Sequence, residues 1–192
     1  RAIDETKMIR LEQATVNLVV SNGYGGASVS LIAKQAGVAE GYLYRFYKGK
    51  QELVEALLHR QIDRIVSQLD VLLEKNTELH LVIDSLIEDY IAMATETPEL
   101  LKFIYVLMND YAFLVSDEQR AQIRKLIAQL IVSGQKSGQL GERVGEEEVF
   151  AMLISYPIDF LNMRLKNFFG KTGVLPNDAP RIAAFCKYSL SY

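Results

Sequence analysis

The chain has 192 residues, 49% hydrophobic and 23% charged, with a formal net charge of −3; this is the composition of a globular protein and excludes a disordered chain. No apolar run approaches the roughly 18 residues that a membrane-spanning helix needs, and the N-terminal residues lack a secretory signal, so we expect a cytoplasmic protein without a membrane partner. The single cysteine, Cys186, excludes an internal disulfide framework, and with only His59 and His80 beside it the sequence offers no zinc site, so we expect no bound metal.

Charge and glycine content divide the sequence near residue 50. Residues 1–50 carry seven lysines and arginines against four acidic residues, a net charge of +3, whereas the remainder carries 14 against 20, a net charge of −6. Six of the 12 glycines fall between Gly23 and Gly49, and the next one is Gly134. We therefore expect a basic domain over residues 1–49 that faces a polyanion, and a helical domain over residues 50–192.

Residues 28–47 have the pattern of a helix-turn-helix. Ser28 can cap a first short helix, and Gly37 stands where a tight turn needs a positive φ; a second helix follows from residue 39 or 40 to about Tyr47. Ala33 is small where the two helices cross, and the spacing from Ala33 to Gly37 and on to an aliphatic residue is typical of this motif. In such a motif the second helix enters the major groove of DNA.

The exposed face of the second predicted helix carries residues suited to DNA contact. Arg45 can make a bidentate contact to a guanine edge or pair with a phosphate. Tyr42 and Tyr44 can donate to phosphates through their hydroxyl groups, and Lys48 and Lys50 lie where the backbone of a DNA strand would pass. The alternative interpretation is an ordinary surface that mixes aromatic and basic residues.

From residue 50 onward the apolar residues recur at helical spacing, without the alternation of β-strands. Pro98 followed by Glu99 marks one helix start, and Pro157 predicts a kink within a later helix. The fold class is therefore all-α. The predicted helices of this part cover residues 50–75, 78–96, 98–114, 117–136, 146–168 and 178–190.

The segment from Gly23 to Leu53 resembles the N-terminal domain of the TetR family of bacterial transcriptional regulators. The family signature reads here as Gly23-Tyr24, Ala27-Ser28-Val29, Ile32-Ala33, Ala36-Gly37-Val38-Ala39, Gly41, Leu43-Tyr44, Phe46-Tyr47, Lys50 and Leu53. The resemblance implies an N-terminal three-helix DNA-binding domain and a larger helical domain for ligand binding and dimerisation. Two positions depart from the pattern: Tyr42 replaces a small residue, and Phe46-Tyr47 replaces tyrosine or histidine followed by phenylalanine.

The resemblance implies that the DNA contacts lie at the start of the first short helix and along the second. Tyr44 and Lys50 are expected to contact phosphates and Arg45 to read a base, while the altered aromatic pair can move a phosphate contact to Tyr47. The full set of candidates, with Lys48 added for its charge, is Ser28, Ser30, Tyr42, Tyr44, Arg45, Phe46, Lys48 and Lys50.

The resemblance also implies a small-molecule effector in a pocket enclosed by helices over residues 50–168. Methionine and aromatic side chains form adaptable apolar walls, and this part of the chain supplies several. The alternative is that they belong to the hydrophobic core. The candidate pocket residues are Tyr90, Met93, Phe103, Met108, Tyr111, Tyr156, Phe160 and Met163.

The sequence thus predicts a homodimeric transcriptional regulator, by family default a repressor, that a small molecule releases from a palindromic operator in double-stranded DNA. Apolar faces over residues 123–131 and 149–163 can form the dimer interface; the alternative is that they are buried within one subunit. No dinucleotide-binding, P-loop or zinc-protease motif is present, so we expect neither an enzyme nor a cofactor. The alternative function is a helical adaptor that retains a degenerate helix-turn-helix.

Overall fold

The computed structural model describes residues 5–75, 78–170 and 173–191; the ends of the two predicted domains, residues 1–4 and 192, lie outside this part. Within it the fold is all-α, as predicted, with ten α-helices, one π-helical turn and no strand. The helices are α1 (Glu5–Gly26), α2 (Val29–Ala36), α3 (Glu40–Leu43), α4 (Lys50–Glu74), α5 (Leu79–Glu96), α6 (Pro98–Asn109), α7 (Asp117–Ser137), α8 (Glu146–Phe150), α9 (Tyr156–Leu165) and α10 (Asp178–Leu190).

The chain forms two compact units. The first, which we call the head unit, comprises the chain up to Gln61 together with Lys102–Ser116. The second, the body unit, comprises Ile62–Leu101 and the chain from Asp117 onward. Each unit has its own buried apolar core: Leu11, Val19, Ile32, Leu43 and Leu53 in the head, and Ile83, Leu86, Tyr90, Leu153 and Leu161 in the body. The head unit therefore includes a segment from the middle of the sequence.

Two of the predicted helices are shorter than expected. The helix predicted over residues 98–114 ends at Asn109, because the Asp110 carboxylate accepts a hydrogen bond from the Ala112 N–H and forms a local turn. The helix predicted over residues 146–168 ends at Leu165, and Asn167 then takes a left-handed φ of 54°. In both places the apolar pattern continues beyond the helical backbone, which is why periodicity alone overestimated the length.

Pro157 lies beside a π-helical turn. This turn, Ala151–Ser155, joins α8 to α9, and its closing bond runs from the Tyr156 N–H to the Ala151 carbonyl, five residues back. Proline cannot donate a backbone hydrogen bond, so the helix must adjust near it. The Cys186 thiol donates to the carbonyl of Met152 within the turn, with sulfur and oxygen 3.0 Å apart, and its burial raises the pKa of Cys186 to about 12. This cysteine therefore serves packing.

Buried charge joins α9 to α10 in the body unit. Arg164 donates to the Asp178 carboxylate at 2.7 Å, and the Leu175 N–H donates to the other oxygen at 2.8 Å. Burial alone would raise the pKa of Asp178, but these hydrogen bonds hold it below its ordinary value. A partly buried pair, Lys187 with Asp84 at 2.5 Å, links α10 to α5.

We predict that Gly134→Ala destabilises the protein. Alanine normally favours a helix over glycine, but a Cβ at position 134 of α7 would lie 2.6 Å from Leu79 Cδ2 and 2.8 Å from Leu140 Cβ. We expect the free energy of unfolding, measured with urea, to fall by about 1–3 kcal/mol. Gly41→Ala is the control, because a Cβ there meets nothing within 4 Å. Equal effects of the two substitutions would contradict the prediction.

Candidate nucleic-acid interface

Helix α2 begins and ends as the sequence predicts. The Ser28 hydroxyl oxygen accepts a hydrogen bond from the Leu31 N–H at 3.2 Å, which is an N-cap. Gly37 has a φ of 65° and a ψ of 40°, and the next N–H, that of Val38, donates to the Ala33 carbonyl at 3.0 Å. This left-handed C-cap turns the chain sharply. The predicted turn is therefore confirmed at atomic detail.

Helix α3 is shorter than the predicted second helix. Its α-helical part ends at Leu43, and two turns follow, in which Arg45 N–H donates to the Tyr42 carbonyl and Phe46 N–H to the Leu43 carbonyl. These bonds span three residues, as in a 3₁₀-helix, so the backbone still coils past residue 43. Leu43 is fully buried, as are Ile32 and Ala33 on α2. The opposite face of α3 is therefore left to solvent.

Three of the predicted DNA-contacting side chains form one cluster on that face. The Tyr42 and Phe46 rings lie edge to face with centroids 5.2 Å apart. The Arg45 guanidinium lies 5.9 Å from the Tyr42 centroid and 5.6 Å from that of Phe46, within cation–π range of both. Arg45 itself is exposed, whereas the two rings are half-buried. The rings thus support a cation that faces solvent.

Four further candidates are exposed on the helix-turn-helix or just after it. Tyr44 has 56% of its surface accessible, and Ser28, Ser30 and Lys48 are also exposed. Ser28 caps α2 and Ser30 lies on it, whereas Tyr44 lies in the turns after α3 and Lys48 in the short joint before α4. Their side chains are therefore accessible to a binding partner.

Lys50 has an internal partner instead. Its ammonium donates to the backbone carbonyl of Tyr24 at 2.6 Å and lies 4.0 Å from the centroid of the Tyr24 ring. Burial lowers the pKa of Lys50, and the nearby Asp110 carboxylate partly opposes this. The resemblance alone could not reveal this arrangement, because Lys50 meets the carbonyl and the ring of Tyr24 only in the folded chain.

Tyr47 is likewise turned toward the protein. Burial is the main cause that raises the pKa of its hydroxyl, and the Glu12 carboxylate adds to this. Glu12 forms an ion pair with Arg60 at 2.9 Å. Tyr47 is half-buried beside these charges.

Asp110 is a residue that sequence reasoning did not single out for the head unit. Its carboxylate accepts a hydrogen bond from the Tyr24 N–H at 2.8 Å, although the two residues are 86 positions apart. No local pattern announces such a contact, because an aspartate after a helix usually makes only a local turn.

The predicted pocket residues fall in both units and differ in burial. Tyr90 and Met93 are buried in the body core and Phe103 in the head core, as the core alternative has it. In the head unit Met108 is 36% exposed and Tyr111 fully exposed. In the body unit the Tyr156 and Phe160 rings lie 6.2 Å apart, and Phe160 and Met163 line a small cavity of about 260 Å³.

A larger groove, of about 780 Å³, lies in the body unit between α4 and α7. Gln129 Nε2 donates to Asp70 at 3.2 Å there, and seven residues earlier on each helix Gln122 Nε2 donates to Asp63 at 3.1 Å. The Oε1 atoms of both glutamines are buried and accept no hydrogen bond from any part of the chain that the structure describes. Polar and apolar residues share the lining, among them Leu73, Glu74, Val132 and Lys136.

Metal-binding clusters and membrane-spanning helices are both absent from the part of the chain that the structure describes. Across residues 5–75, 78–170 and 173–191, no three histidine, cysteine or acidic side chains are grouped so as to hold a metal ion. In the same ranges, no helix combines the length and the apolar character needed to cross a membrane.

Comparison with known proteins gives matches in sequence and in structure. Residues 12–57 match the family of bacterial regulatory proteins, tetR family. The fatty acid metabolism regulator protein of Bacillus subtilis (strain 168) is 33% identical over 64 residues, so the match spans 33% of this chain and 33% of that relative.

The fold of the whole chain is also shared. A TetR family transcription regulator from Marinobacter aquaeolei VT8 superposes with a TM-score of 0.76 at 20% identity, covering 97% of this chain and 96% of that one. The regulator FadR from Bacillus subtilis, in complex with stearoyl-CoA, superposes with a TM-score of 0.65 at 17% identity over 96% and 98% of the two chains. At these identities the structures speak for the fold alone. The comparisons thus show that residues 12–57 are similar to the tetR family of bacterial regulatory proteins and that the whole chain shares the fold of solved regulators of that family.

Proposed function

We propose that this protein is a ligand-responsive, DNA-binding transcriptional regulator, and that DNA binding resides in residues 1–49 and effector binding and dimerisation in residues 50–192. The observation that carries the proposal is the exposed Arg45 guanidinium, supported by the Tyr42 and Phe46 rings on the outer face of a capped helix-turn-helix. A positive, planar donor in this position suits the O6 and N7 atoms of guanine in the major groove. The proposal assigns no catalytic step.

The other exposed residues suit the phosphate backbone. Tyr44 directly precedes Arg45, Lys48 follows Arg45 by three residues, and Ser28 and Ser30 lie at the N-terminal end of α2. Hydroxyl groups and helix N-termini donate readily to phosphate oxygens, and such contacts set the register of the protein on the duplex. We assign these four residues to positioning and Arg45 to base recognition.

We further propose that the regulator acts as a homodimer on a palindromic operator. A two-fold dimer would place two recognition helices in successive major grooves, about 34 Å apart. Exposed apolar side chains on and after the helices α9 and α10 support this, because a monomer gains nothing from leaving them in water. They are Met163, Phe168, Phe169, Phe185 and Tyr188.

The effector is proposed to be a small molecule whose binding releases the repressor from DNA. One structural relative was solved with stearoyl-CoA and another is a gamma-butyrolactone receptor, so acyl ligands are the first class to test. The groove between α4 and α7 offers the buried Oε1 of Gln129 as an acceptor for a ligand that donates hydrogen bonds. A ligand alters DNA affinity only by binding one conformation more tightly than the other.

The experiment that tests the proposal is selection of bound sequences from random duplex DNA by the purified protein at near-physiological salt. Enrichment of a palindrome would support the proposal of a regulator. The affinity of the protein for that palindrome should fall as the salt concentration rises, because counterions are released on binding. A folded protein that enriches no sequence would favour the alternative of a helical adaptor with a degenerate helix-turn-helix.

We predict that Arg45→Lys relaxes base preference at one position in each half-site. Lysine keeps the charge but lacks the planar pair of donors, so discrimination against the wrong base should fall by about 1–3 kcal/mol there. The measurement is the affinity for the selected operator and for its single-base variants. The charge-matched comparison controls for phosphate attraction, and an unaltered preference at every position would remove Arg45 from base recognition.

We also predict that Lys48 and Lys50 differ in their effects on DNA binding. Lys48→Ala should lower the slope of log affinity against log salt by about one, because an exposed ammonium releases a counterion at a phosphate. Lys50→Ala should instead lower the free energy of unfolding, because the ammonium is bound to the Tyr24 carbonyl. A slope that falls equally in both variants would restore Lys50 to the phosphate contacts that the resemblance implies.

A further inference from the structure

The end of α1 is held by a carboxylate from a distant part of the sequence. Asp110 Oδ2 accepts the Tyr24 N–H at 2.8 Å, while Asp110 Oδ1 accepts the Ala112 N–H at 2.9 Å. The Gly25 N–H also helps to lower the pKa of this carboxylate. Both oxygens are therefore occupied by backbone donors, one from α1 and one from the segment that carries Asp110. We call the Asp110 carboxylate, together with the backbone N–H groups bonded to it, the Asp110 clasp.

Further contacts close the Asp110 clasp from other sides. Lys50 donates to the Tyr24 carbonyl, so both backbone polar groups of Tyr24 are bonded to side chains. The Tyr24 ring lies edge to face with Phe113, with centroids 5.2 Å apart. Its hydroxyl is hydrogen-bonded to Gln51, whose amide donates in turn to the Leu114 carbonyl at 3.4 Å. The end of α1, the start of α4 and residues 110–114 thus form one contact set.

The backbone at this point has little stiffness of its own. Gly23 has a φ of 73° and a ψ of 167°, a conformation that is essentially restricted to glycine, and Gly25 and Gly26 follow. Two residues later Ser28 caps α2. The direction in which α2 leaves α1 therefore depends on side-chain contacts rather than on a continuous helix.

The negative charge of Asp110 does not favour DNA binding. A carboxylate in a unit that meets a polyanion repels it and weakens binding. The Ala112 and Tyr24 N–H groups hold the pKa of Asp110 below its ordinary value, which itself lies far below neutral pH, so the side chain is charged there. The unfavourable charge is compensated by a structural role, which is to accept hydrogen bonds from the backbone N–H groups of Tyr24 and Ala112.

We propose that Asp110 is a positioning residue for DNA binding, which holds the junction of α1 and α2 in the conformation that presents the helix-turn-helix to the operator. This inference rests on the proposed function. It assigns a DNA-binding role to a residue 60 positions beyond Lys50, the last of the predicted contacts. The segment Lys102–Ser116 that carries it continues at both ends into the body unit.

The first test compares Asp110→Asn with Asp117→Asn in binding to the selected operator. Asparagine has the shape of aspartate, but its Nδ2 would point a donor at one of the two N–H groups. We expect Asp110→Asn to weaken operator binding at least about tenfold, although it removes a negative charge. Asp117, fully exposed at the start of α7, controls for that charge, and its variant should bind as tightly as the wild type or more tightly.

A double-mutant cycle separates positioning from general destabilisation. A Cβ at Gly23 would lie 3.2 Å from Asp110 Oδ2 on a strained backbone, so Gly23→Ala should break the same clasp from its other side. If both act through the clasp, the double variant should bind operator no more weakly than the weaker-binding single variant. Each affinity is calculated for the fraction of the protein that binds operator, which a stoichiometric titration gives. All measurements are made at a temperature at which circular dichroism shows that every variant is folded. Loss of stability alone would not change that affinity.

Hydrogen exchange at the Tyr24 amide provides an independent measurement, and it should be faster in Asp110→Asn than in Asp117→Asn. Operator affinity of Asp110→Asn equal to or above that of the wild type, or additive losses in the cycle, would overturn the inference while leaving the proposed function in place. A wild-type protein that selects no operator would overturn the proposed function, and this inference with it.

Discussion

The recognition surface depends on the burial of one leucine. A four-residue helix such as α3 cannot hold its own backbone, because a first turn fixes many dihedral angles for one hydrogen bond. Leu43 anchors it by lying fully inside the head core, and burying a leucine is worth about 1.5–3 kcal/mol. Ala33 adds no bulk on the neighbouring helix and allows close approach. The exposed residues Tyr44 and Arg45 follow Leu43 directly, so its burial also fixes the direction in which they point.

Two cations five residues apart illustrate how packing divides similar side chains between different roles. Arg45 rests on two aromatic rings and keeps its donors in solvent, whereas Lys50 rests on one ring and gives a donor to a backbone carbonyl. Both use the negative face of an aromatic ring. The position of the ring in the fold, half-buried at the surface for Tyr42 and buried for Tyr24, decides which cation can meet a partner.

Local chemistry made much of this fold predictable, and long-range chemistry did not. Ser28 and Gly37 act on neighbours within a few residues, so their roles follow from the sequence. The contact of Asp110 with Tyr24 joins residues that no spacing rule connects, and the pocket candidates show the same limit. An aromatic residue at helical spacing can be fully buried, like Tyr90, or fully exposed, like Tyr111, because burial depends on which helix packs against it.

Regulation of such a protein needs a contact that a small change can break. A hydrogen bond near 2.8 Å weakens steeply as its atoms separate or its angle bends, so a shift of about 1 Å is enough to lose it. The proposed positioning by Asp110 has this property, because one carboxylate bonds α1 with one oxygen and its own segment with the other. An effector would then need only to favour one placement of that segment, and the DNA-binding residues themselves could remain unchanged. Affinity for DNA and affinity for the effector would then be linked through the Asp110 clasp.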